Sequence, residues 1–136
     1  MADKLSAAAR AFLEEPRFAV LATVDADGSP QQTVIWYAIM GDEIMFNTLR
    51  GRVKDRNMVR NPHVSLCVED GYRYITIKGR VSENDDQQAA QEDIKRLAVR
   101  YHGPEQGEKR AASFANQQRI SYRVPLDDVG IYGFGE

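Results

Sequence analysis

The chain has 136 residues, 43% of them hydrophobic and 28% charged, with a net charge of −2; this suits one domain spanning 1–136 and excludes both an intrinsically disordered chain and a polycation. The longest apolar stretch, Val34–Met40, falls far short of the roughly 20 residues of a membrane span, and the start Met1-Ala2-Asp3-Lys4 carries an acid and no apolar signal core. The one cysteine, Cys67, excludes an internal disulfide, so a cytoplasmic, non-membrane protein is expected.

Lys4–Glu15 reads as a helix, with Leu5, Ala8, Ala9 and Phe12 at helical spacing and Pro16 ending the run. Arg17–Val24 reads as a strand, and Asp25-Ala26-Asp27-Gly28-Ser29-Pro30 as a turn. Gln31–Met40 is a second strand, rich in β-branched and aromatic residues, in which Trp36 and Tyr37 are core and surface partners. Gly41-Asp42 turns the chain into a third strand, Glu43–Thr48, giving a meander of antiparallel hairpins. A short helix is expected over Arg50–Asn61, closed by Pro62.

His63–Glu69 alternates as a half-buried strand, with Cys67 on its inward face. After the Asp70-Gly71 turn, Tyr72–Val81 alternates again. Asn84, Asp85 and Asp86 can cap a helix running through Tyr101, with Ala90, Ile94, Leu97, Val99 and Tyr101 as its buried stripe. His102–Gly107 reads as a polar loop, Glu108–Gln118 as a second helix, and Ile120–Val124 and Val129–Phe134 as closing strands around Pro125. The pattern predicts a mainly β chain with flanking helices. Its six or seven antiparallel strands form a small barrel with the helices packed outside, and the absence of βαβ alternation disfavours a doubly wound sheet.

No Gly-x-Gly-x-x-Gly, Walker loop, His-Glu-x-x-His or Gly-x-Ser-x-Gly occurs. His63 and His102 are the only histidines, and neither has a second ligand at metal spacing, so they read as strand-edge and loop residues. With no self-sufficient acid–base or nucleophilic set, any enzymatic chemistry is expected to come from a cofactor. One stretch is electrically distinct: Arg50, Arg52, Lys54, Arg56 and Arg60 crowd one end of the chain's middle third, with Asp55 their only acid. Placed at a helix start, Arg52 and Lys54 with the Thr48 hydroxyl would make a phosphate site. A solvated basic helix face is the alternative. Nucleic-acid binding through this stretch is disfavoured by the net charge of −2 and by the lack of aromatics between the basic residues.

The pieces Ala19–Val24 with Asp27-Gly28-Ser29-Pro30, Thr33-Val34-Ile35-Trp36-Tyr37, Ile44–Thr48, Gly51-Arg52-Val53-Lys54-Asp55-Arg56-Asn57 and Asn61–Leu66 come in an order and spacing that resembles the split-barrel flavin and deazaflavin oxidoreductases related to pyridoxamine phosphate oxidase. The resemblance is clear over Arg17 to about Val81 and weaker in the C-terminal third. It implies a split β-barrel that pairs as a homodimer with a cofactor at the subunit interface. It further implies that Arg52 and Lys54 bind the cofactor phosphate, with Thr48 and Asn57 nearby. Gln31, Thr33, Val34 and Ile35 would line the ring system, partly through backbone groups, and Tyr72 and Tyr74 lie where the second subunit contributes an aromatic wall. The short chain and the Gly-Arg-Val-Lys-Asp-Arg-Asn form resemble the deazaflavin branch, which implies coenzyme F420, with FMN as the alternative. The implied activity is hydride transfer to a small conjugated acceptor such as a quinone, an enone or a biliverdin-like tetrapyrrole; a non-catalytic cofactor carrier on the same fold is the other possibility. No catalytic side chain and no metal ligand is assigned.

Overall fold

The computed structural model describes residues 5–135. Helix α1 (Ala7–Glu14) is followed by strands β1 (Ala19–Val24), β2 (Pro30–Ile35), β3 (Ala38–Met40) and β4 (Glu43–Leu49). Then come α2 (Val53–Arg60), β5 (His63–Glu69), β6 (Tyr74–Arg80) and β7 (Ser82–Asn84). Helices α3 (Gln87–His102) and α4 (Pro104–Ala112) precede β8 (Arg119–Pro125) and β9 (Asp128–Tyr132). The strands form two antiparallel sheets, one ordered β2-β1-β5-β6-β9 and the other β3-β4-β8-β7. The sheets curl around a common core without closing into one ladder, so the molecule is a split barrel with helices outside.

That core is built by alternation. Leu21, Leu66, Val68, Ile75 and Ile77 point inward from the five-stranded sheet, and Ile44, Phe46, Ile120, Tyr122 and Val124 from the four-stranded one. Strand β4 is buried on both faces, because Met45 packs outward against Ile94 and Leu97 of α3. This accounts for its unbroken apolar run. Helices α1 and α2 sit at opposite ends of β1: α1 delivers Phe12 and Leu13 to the core and α2 delivers Met58.

Several expectations need correction. The first helix has Ser6 as N-cap, its hydroxyl accepting from the Ala9 N–H, and starts at Ala7; Lys4 lies outside the described residues. The second strand is two strands: it pairs with β1 up to Ile35 and with β4 from Ala38, so Trp36 and Tyr37 form a corner between the sheets. The supposed loop 102–107 is mostly helix, since α3 runs to His102 and Pro104 opens α4 at the position where its missing N–H costs nothing. The two helices approach so closely that a Cβ on Gly107 would lie 2.4 Å from Val99 Cα, which is why a glycine stands there. Val99 is thereby half-buried at the helix contact, while Ala98 and Asp93 are buried on α3. Finally, Cys67 does not point inward: Val64, Leu66 and Val68 take the core face, leaving Cys67 half-buried on the outer face of the sheet. No described helix is long and apolar enough to cross a membrane.

The corner is held by one side chain. The Tyr101 hydroxyl accepts from the Tyr37 N–H at 3.1 Å and lies against the carbonyls of Arg17 and Tyr37, while its ring stacks between Phe18 and Trp36. Tyr101→Phe keeps the stack and removes the hydroxyl. It is expected to lower stability by about 1–3 kcal/mol, the cost of leaving these backbone groups unpaired; equilibrium urea unfolding measures it, and an unchanged midpoint would show that the stack alone holds the corner.

Candidate functional site

The link from β4 to α2 concentrates polar chemistry. Gly51 adopts φ +92°, a left-handed conformation that side-chain-bearing residues avoid. Its N–H donates to Asp55 Oδ2 at 2.7 Å, so the carboxylate reaches back over the helix start as in a capping box. The other oxygen of Asp55 accepts from the Tyr122 hydroxyl and faces Arg50 Nη1 at 3.4 Å. Asp55 is therefore spent within the fold, and burial together with that carboxylate drives the Tyr122 phenol far above its usual range. No side chain caps the start of α2 at Arg52, so the N–H groups of its first turn remain open to a ligand.

Opposite this helix start lies β2, the edge of its sheet, paired only with β1. The space between them is a cleft of about 210 Å³ lined by Val34, Ile35, Trp36, Asn47, Thr48, Arg52, Lys54, Ile94, Leu97 and Arg119. Arg52 and Lys54 also wall a second groove, of about 380 Å³, shared with Gln31, Thr33, Gly51, Val53 and Arg56. Lys54 Nζ donates to Thr33 Oγ1 at 3.3 Å. Arg119 donates through Nε to Asn47 Oδ1 at 2.8 Å and through Nη1 to Gln117 Oε1 at 2.6 Å, and its guanidinium lies over the Phe114 ring.

Among the described residues, none of Arg52, Lys54 and Arg119 pairs with a carboxylate. The cost shows in the titration of Lys54 and Arg119. Burial lowers Lys54 below its ordinary value, and Arg52 and Arg119 push it the same way. Burial, then Arg52, brings Arg119 down to about 10, which leaves it charged at neutral pH. Since folding depresses both groups, the unfolded chain binds their protons more firmly. The penalty acts below the folded pKa and fades as pH rises toward the ordinary values. A cleft holding three cations and no counter-charge is built to receive an anion.

Of the residues singled out in the sequence, Gln31, Thr33, Val34, Ile35, Thr48, Arg52 and Lys54 are brought together here. Asn57 is not. It is 2% exposed, and its amide donates to Thr23 Oγ1 at 3.0 Å and Asp25 Oδ1 at 2.9 Å while its oxygen accepts from Arg60, so it fastens α2 to the end of β1. Tyr72 and Tyr74 lie across the five-stranded sheet, Tyr72 at a turn and Tyr74 stacked on Tyr132 at 4.5 Å. Within one chain they do not reach the cleft. Sequence reading missed Arg119, Asn47, Ile94 and Leu97 as lining residues and took Trp36 for a plain strand residue. The one local signal for Arg119 is an arginine at the head of a strand whose next residues are apolar. His63 is exposed at the start of β5, and His102 packs edge-on against Trp36.

The pyridoxamine 5'-phosphate oxidase family model matches residues 5–123. The chain is 29% identical over 127 residues to an F420H(2)-dependent biliverdin reductase of Mycobacterium tuberculosis, covering 92% of this chain and 93% of that protein. Among solved structures it is similar to an F420 reductase, with TM-score 0.73 and 29% identity over 89% of this chain and 94% of that one. It is also similar to a conserved hypothetical protein of Mycobacterium tuberculosis, with TM-score 0.77 and 27% identity over 95% and 85% of the two chains.

Asn57→Ala is expected to cost about 1–3 kcal/mol of stability, because it removes the buried amide that donates to Thr23 and Asp25 and ties α2 to the end of β1. Urea unfolding reads this directly, and a change below about 0.5 kcal/mol would show that Asn57 does not anchor the helix.

Proposed function

This chain belongs to the pyridoxamine 5'-phosphate oxidase family, and from that premise we propose that it is an oxidoreductase that uses the deazaflavin coenzyme F420 to reduce a conjugated organic acceptor, such as a quinone, an enone or a biliverdin-like open tetrapyrrole. The observation that carries this reading is the trio Arg52, Lys54 and Arg119 in the cleft beside β2, unpaired with any carboxylate among the described residues. The activity named for the Mycobacterium tuberculosis relative at 29% identity supports the choice of coenzyme.

The donor set fits a phosphate-bearing ring system. Arg52 and Lys54 supply two charges beside the uncapped first turn of α2, where a phosphate is favoured by the open N–H groups and the helix dipole. Thr33 steadies the ammonium of Lys54. The free edge of β2 offers backbone donors and acceptors along Gln31–Ile35. Trp36, Ile94 and Leu97 form an apolar wall that keeps water from the ring. When bound, a reduced deazaflavin supplies a hydride to the acceptor, and the protein's part is to fix distance and exclude water. This accounts for the lack of a catalytic triad or metal set in the sequence. FMN carries a phosphate that the same two cations can hold.

The reading includes a homodimer. The registers put Val34, Val20, Cys67, Thr76 and Gly130 in one row across the outer face of the five-stranded sheet. By the same alternation Phe18, Tyr74 and Tyr132 share that face, and each is an exposed large hydrophobic residue, as is Val34. A two-fold axis along β5 sets β6 and β9 of one protomer over β1 and β2 of its partner. Tyr74 and Tyr132 then approach the Val34 end of the partner's cleft.

Parallel titrations with F420 and FMN test the coenzyme. F420 is expected to bind more tightly, and Lys54→Ala or Arg52→Ala to weaken it by roughly 1.5–3 kcal/mol; FMN preference, or variants that bind as wild type does, would defeat the assignment. Thr76→Arg, in the middle of the sheet face, is expected to yield a folded monomer on sedimentation and to lose coenzyme affinity. A Thr76→Arg protein that sediments as a dimer would remove this face as the interface.

A further inference from the structure

We infer that Arg119 binds a second anionic oxygen of the molecule or molecules held in the cleft, apart from the phosphate assigned to Arg52 and Lys54. The inference rests on that assignment and extends it to the other arm of the site. Arg52 and Lys54 wall both arms. The arm with Thr33, Gly51 and the open helix start suits phosphate. Arg119 belongs only to the other, whose further walls are Trp36, Ile94 and Leu97.

Three observations converge on Arg119. Its side chain belongs to a residue 9% exposed, yet no carboxylate among the described residues meets it. Desolvating a guanidinium without a counter-charge is costly, so the position calls for an anion from outside the chain. The group is also aimed: Asn47, which takes the Nε–H, is itself fixed by donating to the Ala90 carbonyl and to Ser121 Oγ. With Nε and Nη1 engaged, Nη2 has no partner among the described residues, and the cleft is the open side. Lastly, beside its polar lining of Asn47, Thr48, Arg52 and Lys54 this arm carries apolar and aromatic walls, Trp36, Ile94 and Leu97 among them. A small hydrated anion gains little from them, whereas a flat conjugated body bearing an ionised oxygen fills the arm and meets the charge. The ligand chemistry is therefore a carboxylate, phenolate or enolate oxygen on a conjugated ring system. Such an oxygen can belong to the coenzyme ring or to the acceptor.

Calorimetric titration with two simple probes tests this. 2-Naphthoate offers a flat body and a carboxylate but no phosphate, and inorganic phosphate offers the reverse. Arg119→Gln is expected to weaken naphthoate about tenfold or more and to leave phosphate within about twofold. Arg52→Gln, at a residue that walls both arms, is expected to weaken phosphate about tenfold or more and naphthoate by less, and Arg119→Lys to recover most of the naphthoate affinity. Failure of naphthoate to bind the wild-type protein, an unchanged naphthoate Kd in Arg119→Gln, or equal loss of both probes would overturn the inference. Repeating the naphthoate titration on coenzyme-saturated protein separates the sources: displacement points to the coenzyme ring, and retained binding to the acceptor. If F420 itself fails to bind while the naphthoate results hold, the coenzyme reading falls and the role of Arg119 stands.

Discussion

The chain must leave one sheet and enter the other within two residues, Trp36 and Tyr37, and the rest of the architecture hangs on that corner. Between the last β2 pair, at Ile35, and the first β3 pair, at Ala38, the backbone has no ladder to satisfy it. The Tyr101 hydroxyl takes that place, and the Tyr37 ring drops into the core with its own hydroxyl donating to the Leu13 carbonyl at 2.8 Å. One residue earlier on α3, Arg100 reaches the carbonyls of Leu13, Glu14 and Glu15, a cation placed on the carbonyl end of α1. The last turn of α3 thus secures the end of α1, the approach to β1 and the corner together. Because the corner holds β2 and β3 apart, a gap opens between the two sheets, and that gap is the cleft, with Trp36 left on its wall.

Helix α2 shows how such a cleft is charged without being neutralised by its own chain. The acid that dilutes the basic stretch in the sequence, Asp55, is turned inward onto Gly51 and Tyr122 and so never faces the ligand side. Asn57 performs the matching task toward β1. These two buried polar residues hold the helix, which frees Arg52 and Lys54 at its first turn to stay unpaired. The repulsion that Arg52 exerts on Lys54 and Arg119 is a standing cost in this protein, and an anion in the cleft would relieve it.

The outer face of the five-stranded sheet follows the same logic of surfaces left for something else. It carries small and aliphatic side chains in its central row and aromatic ones toward one end, and no helix contacts it extensively. A sheet face of this kind is stable when another layer covers it. Tyr72 and Tyr74, remote from the cleft within one protomer, gain a place in the site only if that layer is a second copy.

Much of this was legible along the chain. Alternation marked β5 and β6, turn residues marked the hairpins, Asp86 caps α3 as one of the three candidates Asn84, Asp85 and Asp86, and the basic stretch contained α2 and two of the cations at its start. These features arise between residues a few positions apart, so periodicity and capping chemistry report them. The break in the second strand, the helix at Pro104, the outward side of Cys67 and the place of Arg119 did not declare themselves. The corner and Arg119 depend on partners far off in the chain: Tyr37 meets Tyr101 across 64 residues, and Arg119 meets Asn47 across 72; the side of Cys67 follows from the same alternation as Val64, Leu66 and Val68, and Pro104 opens α4 by local chemistry. Local pattern can say that a residue is apolar or charged and which face of its own element it takes. Which other element arrives opposite is set by how two sheets and α3 pack, and that packing alone turned a basic helix start into a three-cation cleft with an aromatic wall.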